Sequence, residues 1–394
     1  MKQYKLTSLV FLLASLTAYA DPSYYMVFDA GSSGTRMSLY EVLDKNDPNM
    51  LPKITQLMGA LQPDAQSLRV TPGISDFVNK PDSMWPNLRP LFNQAETYLM
   101  ERGIKPSQVE VHFYATAGVR LIGAEAQKKL FDLIKKNIKS KSAFQNVAYV
   151  GLITGEQEGI FSWFAVNYDA LAHGGQTSIV LDMGGASMQI SADLGFQPEK
   201  YQLPYKKYHI GDREYNISST SFLGFGLNLV LTRVSNYWQQ SYNTCLPQRY
   251  TASYIDNPVP IAFSYDACRD IFSHYIRSRG EYNADFRHLS QLVNDRNNLR
   301  TIGLDNFYFV MDYFDADTPS ELKQAILNRC SGLDEKQVEF MPESFTEERE
   351  CPKGMYLLGL YDILGFESRD SKVDFYRDNW SKGVVASIIL DERS

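Results

Sequence analysis

Two short segments hold the residues best suited to chemistry, and they read as one device used twice. The first is Val27-Phe28-Asp29-Ala30-Gly31-Ser32-Ser33-Gly34-Thr35-Arg36, and the second is Val180-Leu181-Asp182-Met183-Gly184-Gly185-Ala186-Ser187-Met188-Gln189. Superposed at an offset of 153, Asp29 meets Asp182, Gly31 meets Gly184 and Ser38 meets Ser191. Each segment is an apolar run ending in Asp, then small residues, then a second alternating run. That pattern predicts strand, tight turn, strand. Glycines let backbone N–H groups approach an anion, and hydroxyls add donors. The carboxylates can hold Mg2+ or Ca2+ through water, with Mn2+ as an alternative. Two such loops facing each other would grip a polyphosphate and its cation from both sides.

Other polar residues follow predicted strands, where sites collect in α/β folds. Thr116 ends the run Val109–Thr116, and Ala117-Gly118-Val119-Arg120 then opens a helix. Val147–Ile153 reads as a strand, and Thr154 with Gln157 fits a capping box for the helix that carries Glu158. Phosphoryl transfer needs positioning and charge neutralisation more than covalent chemistry. Ser32, Ser33, Thr35 and Thr116 can donate to phosphate oxygens. Gly34, Ala117, Gly184, Gly185 and Ala186 complete the loops, and Arg36 and Arg120 sit beside them. Glu158 can take a proton from an attacking water, which Ser187 and Gln189 can orient. Taken singly, Asp29 or Asp182 could be a turn residue and Glu158 a solvated acid near a helix N-terminus. The repetition is what argues for a site. The sequence has no G-x-x-x-x-G-K-[ST], G-x-S-x-G or H-E-x-x-H pattern, and its five histidines are scattered.

Alternating α and β elements with a repeated hairpin predict an α/β fold duplicated into two lobes. The expected divisions are residues 21–152 for lobe I, 153–368 for lobe II, and 369–394 for a C-terminal segment whose helix, Trp380–Leu390, returns to lobe I. Residues 44–90 and 216–300 look irregular. The lysines at 128, 129, 135, 136 and 139 predict a solvated helix face. A formal net charge of −7 argues against non-specific nucleic-acid binding.

Residues 1–20 read as a signal peptide: Lys2 and Lys5, an apolar run from Leu9 to Leu16, and Ala18-Tyr19-Ala20 as the cleavage site. The apolar run is short for a bilayer span. A secreted or periplasmic monomer with no transmembrane anchor is expected. Four cysteines in an exported chain predict two disulfides, and the shortest loops pair Cys245 with Cys268 and Cys330 with Cys351. Asn216 and Asn379 head glycosylation sequons.

Taken in order, these segments resemble the nucleoside triphosphate diphosphohydrolases, or apyrases. Residues 27–36, 114–121, 153–159 with Trp163, and 181–190 resemble four blocks of that family in register, and Met355–Leu358 with Trp380–Gly383 resembles a weaker fifth. Gly34 and Arg36 are more similar to parasite and plant forms than to animal cell-surface members. The resemblance implies a two-lobed actin-like, ribonuclease-H-like fold with the nucleotide in an interlobe cleft. It implies stepwise, cation-dependent hydrolysis of nucleoside tri- and diphosphates to the monophosphate. It assigns Glu158 as base, Ser187 and Gln189 to the water, and Asp29 and Asp182 to the cation's waters. Ser32, Ser33, Thr35 and Thr116 would line the phosphate path. An exopolyphosphatase-like hydrolase and a non-catalytic actin-like nucleotide-binding module are the competing readings.

Overall fold

The computed structural model describes residues 22–45, 51–59, 68–247, 263–296, 298–331, 347–366, 373–376 and 380–393. Two mixed sheets dominate. The first contains β1 (Ser23–Ala30), β2 (Thr35–Leu43), β3 (Lys53–Gly59), β4 (Arg69–Val70), β5 (Val109–Ala115) and β6 (Val147–Leu152), in the order β3-β2-β1-β5-β6 with β4 also on β2. The second contains β7 (Ile179–Met183), β8 (Ser187–Asp193), β9 (Tyr205–Ile210), β10 (Arg213–Leu223), β11 (Thr301–Asp305) and β12 (Val373–Tyr376), in the order β12-β11-β7-β8-β10-β9. In each sheet a central antiparallel hairpin, β1-β2 or β7-β8, has an antiparallel neighbour on its second strand. Two parallel strands follow its first strand. The expected duplicated α/β fold is therefore present as two sheets of the same topology.

β1 is buried along nearly its whole length, which is why Tyr24-Tyr25-Met26-Val27-Phe28 reads as a continuous apolar run rather than an alternating one. Its two faces serve different cores. Met26, Phe28 and Ala30 face α1 (Met84–Glu101), with α2 (Ala117–Arg120) and α3 (Ala124–Lys141) completing that side. Tyr25 and Val27 face the inner layer.

That inner layer is α4 (Gly155–Ala172) and the C-terminal helix of the chain. The outer face of the second sheet is covered by α5 (Leu227–Trp238), α6 (Tyr265–Ser278), α7 (Asn283–Asp295), α8 (Asn306–Phe314), α9 (Pro319–Cys330) and α10 (Glu347–Leu364), which build the largest core. α11 (Ser381–Arg393) packs on α4 and on the first sheet, where Ser381 Oγ lies 2.6 Å from Tyr40 Oη. A Cβ on Gly383 would fall 1.7 Å from the Phe161 carbonyl, so this helix pair can close only because residue 383 has no side chain. α4 is apolar nearly all round because it is sandwiched: Phe161 meets α11, while Trp163, Phe164 and Tyr168 meet the second sheet.

The two stretches expected to be irregular are more regular than their composition suggests. Residues 44–90 contain β3 and the start of α1. The described part of residues 216–300 contains most of β10 and all of α5, α6 and α7. Polar residues of β10 such as Ser219 and Ser221 are inward-facing partners of β8 and its neighbours, so their polarity hid a central strand. The lysines of α3 are exposed as expected.

Cysteines pair as Cys245–Cys268 and Cys330–Cys351, with Cα separations of 4.9 and 6.0 Å, the pairing expected from loop length. Asn216 is buried in β10 and donates to the Gly195 carbonyl, so this sequon is closed to a glycan in the folded chain. Residues 1–20 and Asn379 lie outside the described residues. Among those described, no helix is long and apolar enough to cross a membrane.

Candidate active site

The repeated segments are the two central hairpins. The Gly31 N–H bonds the Gly34 carbonyl at 2.9 Å, and the Gly184 N–H bonds the Ser187 carbonyl at 3.0 Å, so each turn is closed by the same bond at equivalent positions. Register carries the equivalence further. Asp29 faces Arg36 across the first hairpin, as Asp182 faces Gln189 across the second. The two turns touch. A Cβ on Gly185 would lie 2.5 Å from Ser32 Oγ, and one on Gly118 would lie 2.7 Å from Ser32 Cα. Only the absence of side chains at these positions lets the second hairpin and the first turn of α2 close on Ser32.

Glu158 reaches the same place from α4. Thr154 caps that helix: Thr154 Oγ1 accepts from the Gln157 N–H, while Gln157 Oε1 accepts from the Thr154 N–H. The capping box fixes where α4 begins and sets Glu158 on its first turn, buried against the second hairpin. Arg120 holds it from the other lobe. The Arg120 Nε donates to the Ile153 carbonyl at 3.0 Å, and Nη2 donates to Glu158 Oε2 at 2.5 Å. Burial pushes the Glu158 carboxyl up to about 7, against the opposing pull of Arg120.

Gln189 is fixed just as firmly. Its Nε2 donates to Ser187 Oγ at 2.8 Å and to Ser221 Oγ at 3.1 Å, which presents Oε1 as the free acceptor. Ser187, Gln189 and Asp182 share one face of the β7-β8 hairpin, the face covered by α4.

Asp29 and Asp182 are both buried at strand ends. Arg36 Nη1 donates to Asp29 Oδ2 at 3.1 Å, and Ser162 Oγ donates to Asp182 Oδ2 at 2.5 Å. Burial raises both carboxyls. Asp182 is held up to about 8, with the neighbouring charge of Asp305 adding to burial and Ser162 opposing it. Four acids, Asp29, Glu158, Asp182 and Asp305, stand against Arg36, Arg69 and Arg120, an excess of acidic groups that suits a divalent cation. Among the described residues no group of three His, Cys, Asp or Glu can hold a metal directly. Asp29 and Asp182 could hold a divalent cation through bridging water.

Most residues expected at the site converge: Asp29, Ser32, Arg36, Thr116, Glu158, Asp182, Gly184, Gly185, Ala186, Ser187 and Gln189 lie on the hairpins or the elements against them. Thr116 precedes α2, and its side chain makes no cap bond to that helix. Ala117 is buried at the start of α2, and Gly34 is packed under β4. Ser33 is exposed and accepts from Arg69 Nη2 at 3.2 Å. Two residues stand differently from the expectation. Arg120 is engaged by Glu158 rather than directed at a phosphate loop. Thr35 faces away: Ala30 is its cross-strand partner, one residue out of phase with the Asp29–Arg36 pair, so its fully buried hydroxyl lies on the α1 side with no hydrogen-bond partner among the described residues.

Sequence reasoning missed Asp305, Arg69, Ser162 and Ser221. Asp305 ends β11 beside Met183 and has φ +52°, a conformation costly for a side-chain-bearing residue. Its charge bears on Arg36, Asp182 and Glu158. The run Thr301-Ile302-Gly303-Leu304-Asp305 has the apolar-then-Asp signature of the two hairpins but lacks the glycine turn that drew attention to them.

A model of the GDA1/CD39 (nucleoside phosphatase) family matches residues 15–372. The nucleoside-triphosphatase ntp-1 of Caenorhabditis elegans is 32% identical over 240 residues, covering 57% of this chain and 43% of that protein. The probable apyrase 6 of Arabidopsis thaliana is 23% identical over 422 residues, covering 94% and 73%. The matches to the first four curated relatives span only 41–51% of those proteins. Among solved structures, nucleoside triphosphate hydrolase from Neospora caninum superposes with a TM-score of 0.58 at 13% identity, covering 94% of this chain and 93% of that one. A Ppx/GppA family member from Aquifex aeolicus gives 0.52 at 13% identity, covering 95% and 100%. At such identity the structures speak to fold alone, and they agree with two lobes. The family match takes in both hairpins, α2 and α4, and with them every residue gathered around Ser32. The chain belongs to the GDA1/CD39 (nucleoside phosphatase) family.

Proposed function

We propose that this chain is an exported, cation-dependent apyrase that hydrolyses nucleoside tri- and diphosphates stepwise to the monophosphate. The observation that carries the reading is the contact of the two hairpin turns at Ser32 and Gly185, with Glu158 buried beside them. A polyphosphate chain lying between the turns meets Ser32, Ser33 and Thr116 from lobe I and the Gly184-Gly185-Ala186 backbone from lobe II. Whichever phosphoryl group is terminal comes to the same water, so one site serves both substrates.

Arg120 occupies Oε2 of Glu158, leaving Oε1 for the water. Gln189 Oε1 accepts the second hydrogen, which turns a water lone pair toward phosphorus. As the new P–O bond forms, the bond from the terminal phosphorus to the bridging oxygen breaks, that oxygen leaves on the nucleoside di- or monophosphate, and the water proton passes to Glu158. A bound Mg2+, Ca2+ or Mn2+ would neutralise phosphate charge, its waters held by Asp29 and Asp182. Arg36 opposes the rise that burial imposes on the Asp29 carboxyl and orients it for this task.

Export is supported by the pattern of residues 1–20 and by two disulfides, which persist in oxidising compartments. Lobe boundaries near residues 152 and 368 and a monomeric state complete the proposal. The test is phosphate release from ATP, ADP, AMP and inorganic polyphosphate, with Mg2+ and with EDTA. Cation-dependent release from ATP and ADP but not AMP is expected. Release from polyphosphate alone would move the chain to exopolyphosphatase chemistry, and no release would leave a nucleotide-binding module.

A further inference from the structure

Ser162 lies one helical turn beyond Glu158 on α4 and is fully buried. Its Oγ lies 2.5 Å from Asp182 Oδ2 and 3.0 Å from the Glu158 carbonyl oxygen. A serine inside a helix ordinarily returns its hydrogen to the carbonyl four residues back. Here a carboxylate sits closer than that carbonyl, and the hydroxyl has one hydrogen to give. With Asp182 ionised, the hydrogen goes to the carboxylate as a charge-assisted bond. Among the described residues Ser162 is the donor that Asp182 has, whereas its charged neighbours Asp305, Glu158 and Asp29 all repel it.

The bond also joins two elements at the point where both matter. Asp182 stands near the end of β7, and Ser162 stands on the helix that carries Glu158. Lobe I meets the same need differently, since its equivalent carboxylate, Asp29, is held by a cation, Arg36. The residue opposite Asp182 is Gln189, which is already engaged by Ser187 and Ser221. Support for Asp182 therefore has to come from the helix.

We propose that Ser162 is a positioning residue for the cation: one hydrogen bond from α4 fixes the Asp182 carboxylate, commits Oδ2 to the protein, and leaves Oδ1 to the waters of the bound ion. The inference rests on the reading that Asp29 and Asp182 hold a hydrated divalent cation. It ties cation affinity to the seating of α4, so Glu158 and the cation are positioned by one helix.

The experiment measures Mn2+ binding to the full chain by the loss of the free-ion paramagnetic signal, with a methylene-bridged nucleoside diphosphate present and at one fixed pH. Ser162→Ala removes the hydroxyl. Ser162→Cys nearly keeps the volume and offers only a weak donor, so it carries the test if the alanine variant fails to fold. Both are expected to weaken Mn2+ binding by on the order of tenfold, the scale of lost outer-shell support at metal sites. Turnover lost at limiting cation should recover as the cation is raised. Mn2+ affinity within about twofold of wild type in a folded variant, below the range expected for such support, would overturn the proposal. So would a fall in melting temperature and saturated turnover with affinity intact, which is what a purely structural role predicts. A wild-type chain that does not bind Mn2+ at all would instead remove the cation reading beneath it.

Discussion

Glu158 is held at one oxygen by Arg120, which suits the general-base role proposed for it. Its carboxyl is raised to about 7 by burial, with Arg120 pulling it back. Arg120→Gln removes the cation, so the carboxyl should rise further and the acid limb of the pH–rate profile should move to higher pH, whereas Arg120→Lys should keep much of the wild-type limb. Rates measured across that limb at saturating cation check this, and an unmoved limb in Arg120→Gln would detach Arg120 from the base. The residues that were legible in the sequence, Asp29, Asp182, Glu158, Ser187 and Gln189, were so because they sit in a repeat or in a helix start with a recognisable cap. Asp305 was not, because it joins the others through the pairing of β11 with β7, more than a hundred residues apart in sequence. Arg120 was legible as a charge near the site but not as the partner of Glu158, since that contact depends on how α2 and α4 meet.

At the scale of elements, the hairpins, β5, β6, α3 and α4 follow from periodicity, turn chemistry and the Thr154–Gln157 box. β3 and β10 do not. β3 is a half-buried strand with no apolar alternation, and β10 carries inward hydroxyls that bond to β8 and to Gln189 rather than an apolar face. Polar residues with partners cost little to bury, so a hydrophobic pattern alone cannot find them. The α4–α11 pair depends on one residue. Gly383→Ala would place a methyl group 1.7 Å from the Phe161 carbonyl, forcing the helices apart where both sheets lean on them. A large loss of melting temperature is expected, with phosphate release falling in parallel because Glu158 rides on α4. Wild-type melting in that variant would mean that α11 does not pack this closely.

At the scale of the whole molecule, outer helices, sheet, inner helix pair, sheet and outer helices form successive layers. The duplication brings two carboxylate-bearing hairpins together between them. Concentrating buried acids in this way has a thermodynamic consequence. Glu158 and Asp182 have folded-state values raised to about 7 and about 8, above the ordinary carboxylate range. A raised carboxyl contributes stability that is complete below its unfolded value and is lost as pH rises through the folded value. Lowering the pH from about 8 to about 6 should therefore raise the melting temperature of the cation-free chain. Added Mg2+ or Ca2+ should stabilise it more at the higher pH, and a flat profile in EDTA would argue that these acids are not buried together. In the function proposed above, a water activated by Glu158 attacks the terminal phosphate between the two hairpins. Its most direct test is phosphate release from ATP and ADP by wild type and Glu158→Gln at saturating Mg2+, with nucleotide binding measured on the same samples. Retained binding with turnover reduced by at least ~100-fold, the scale of a general base, is expected; near-normal turnover in Glu158→Gln would remove Glu158 from that role.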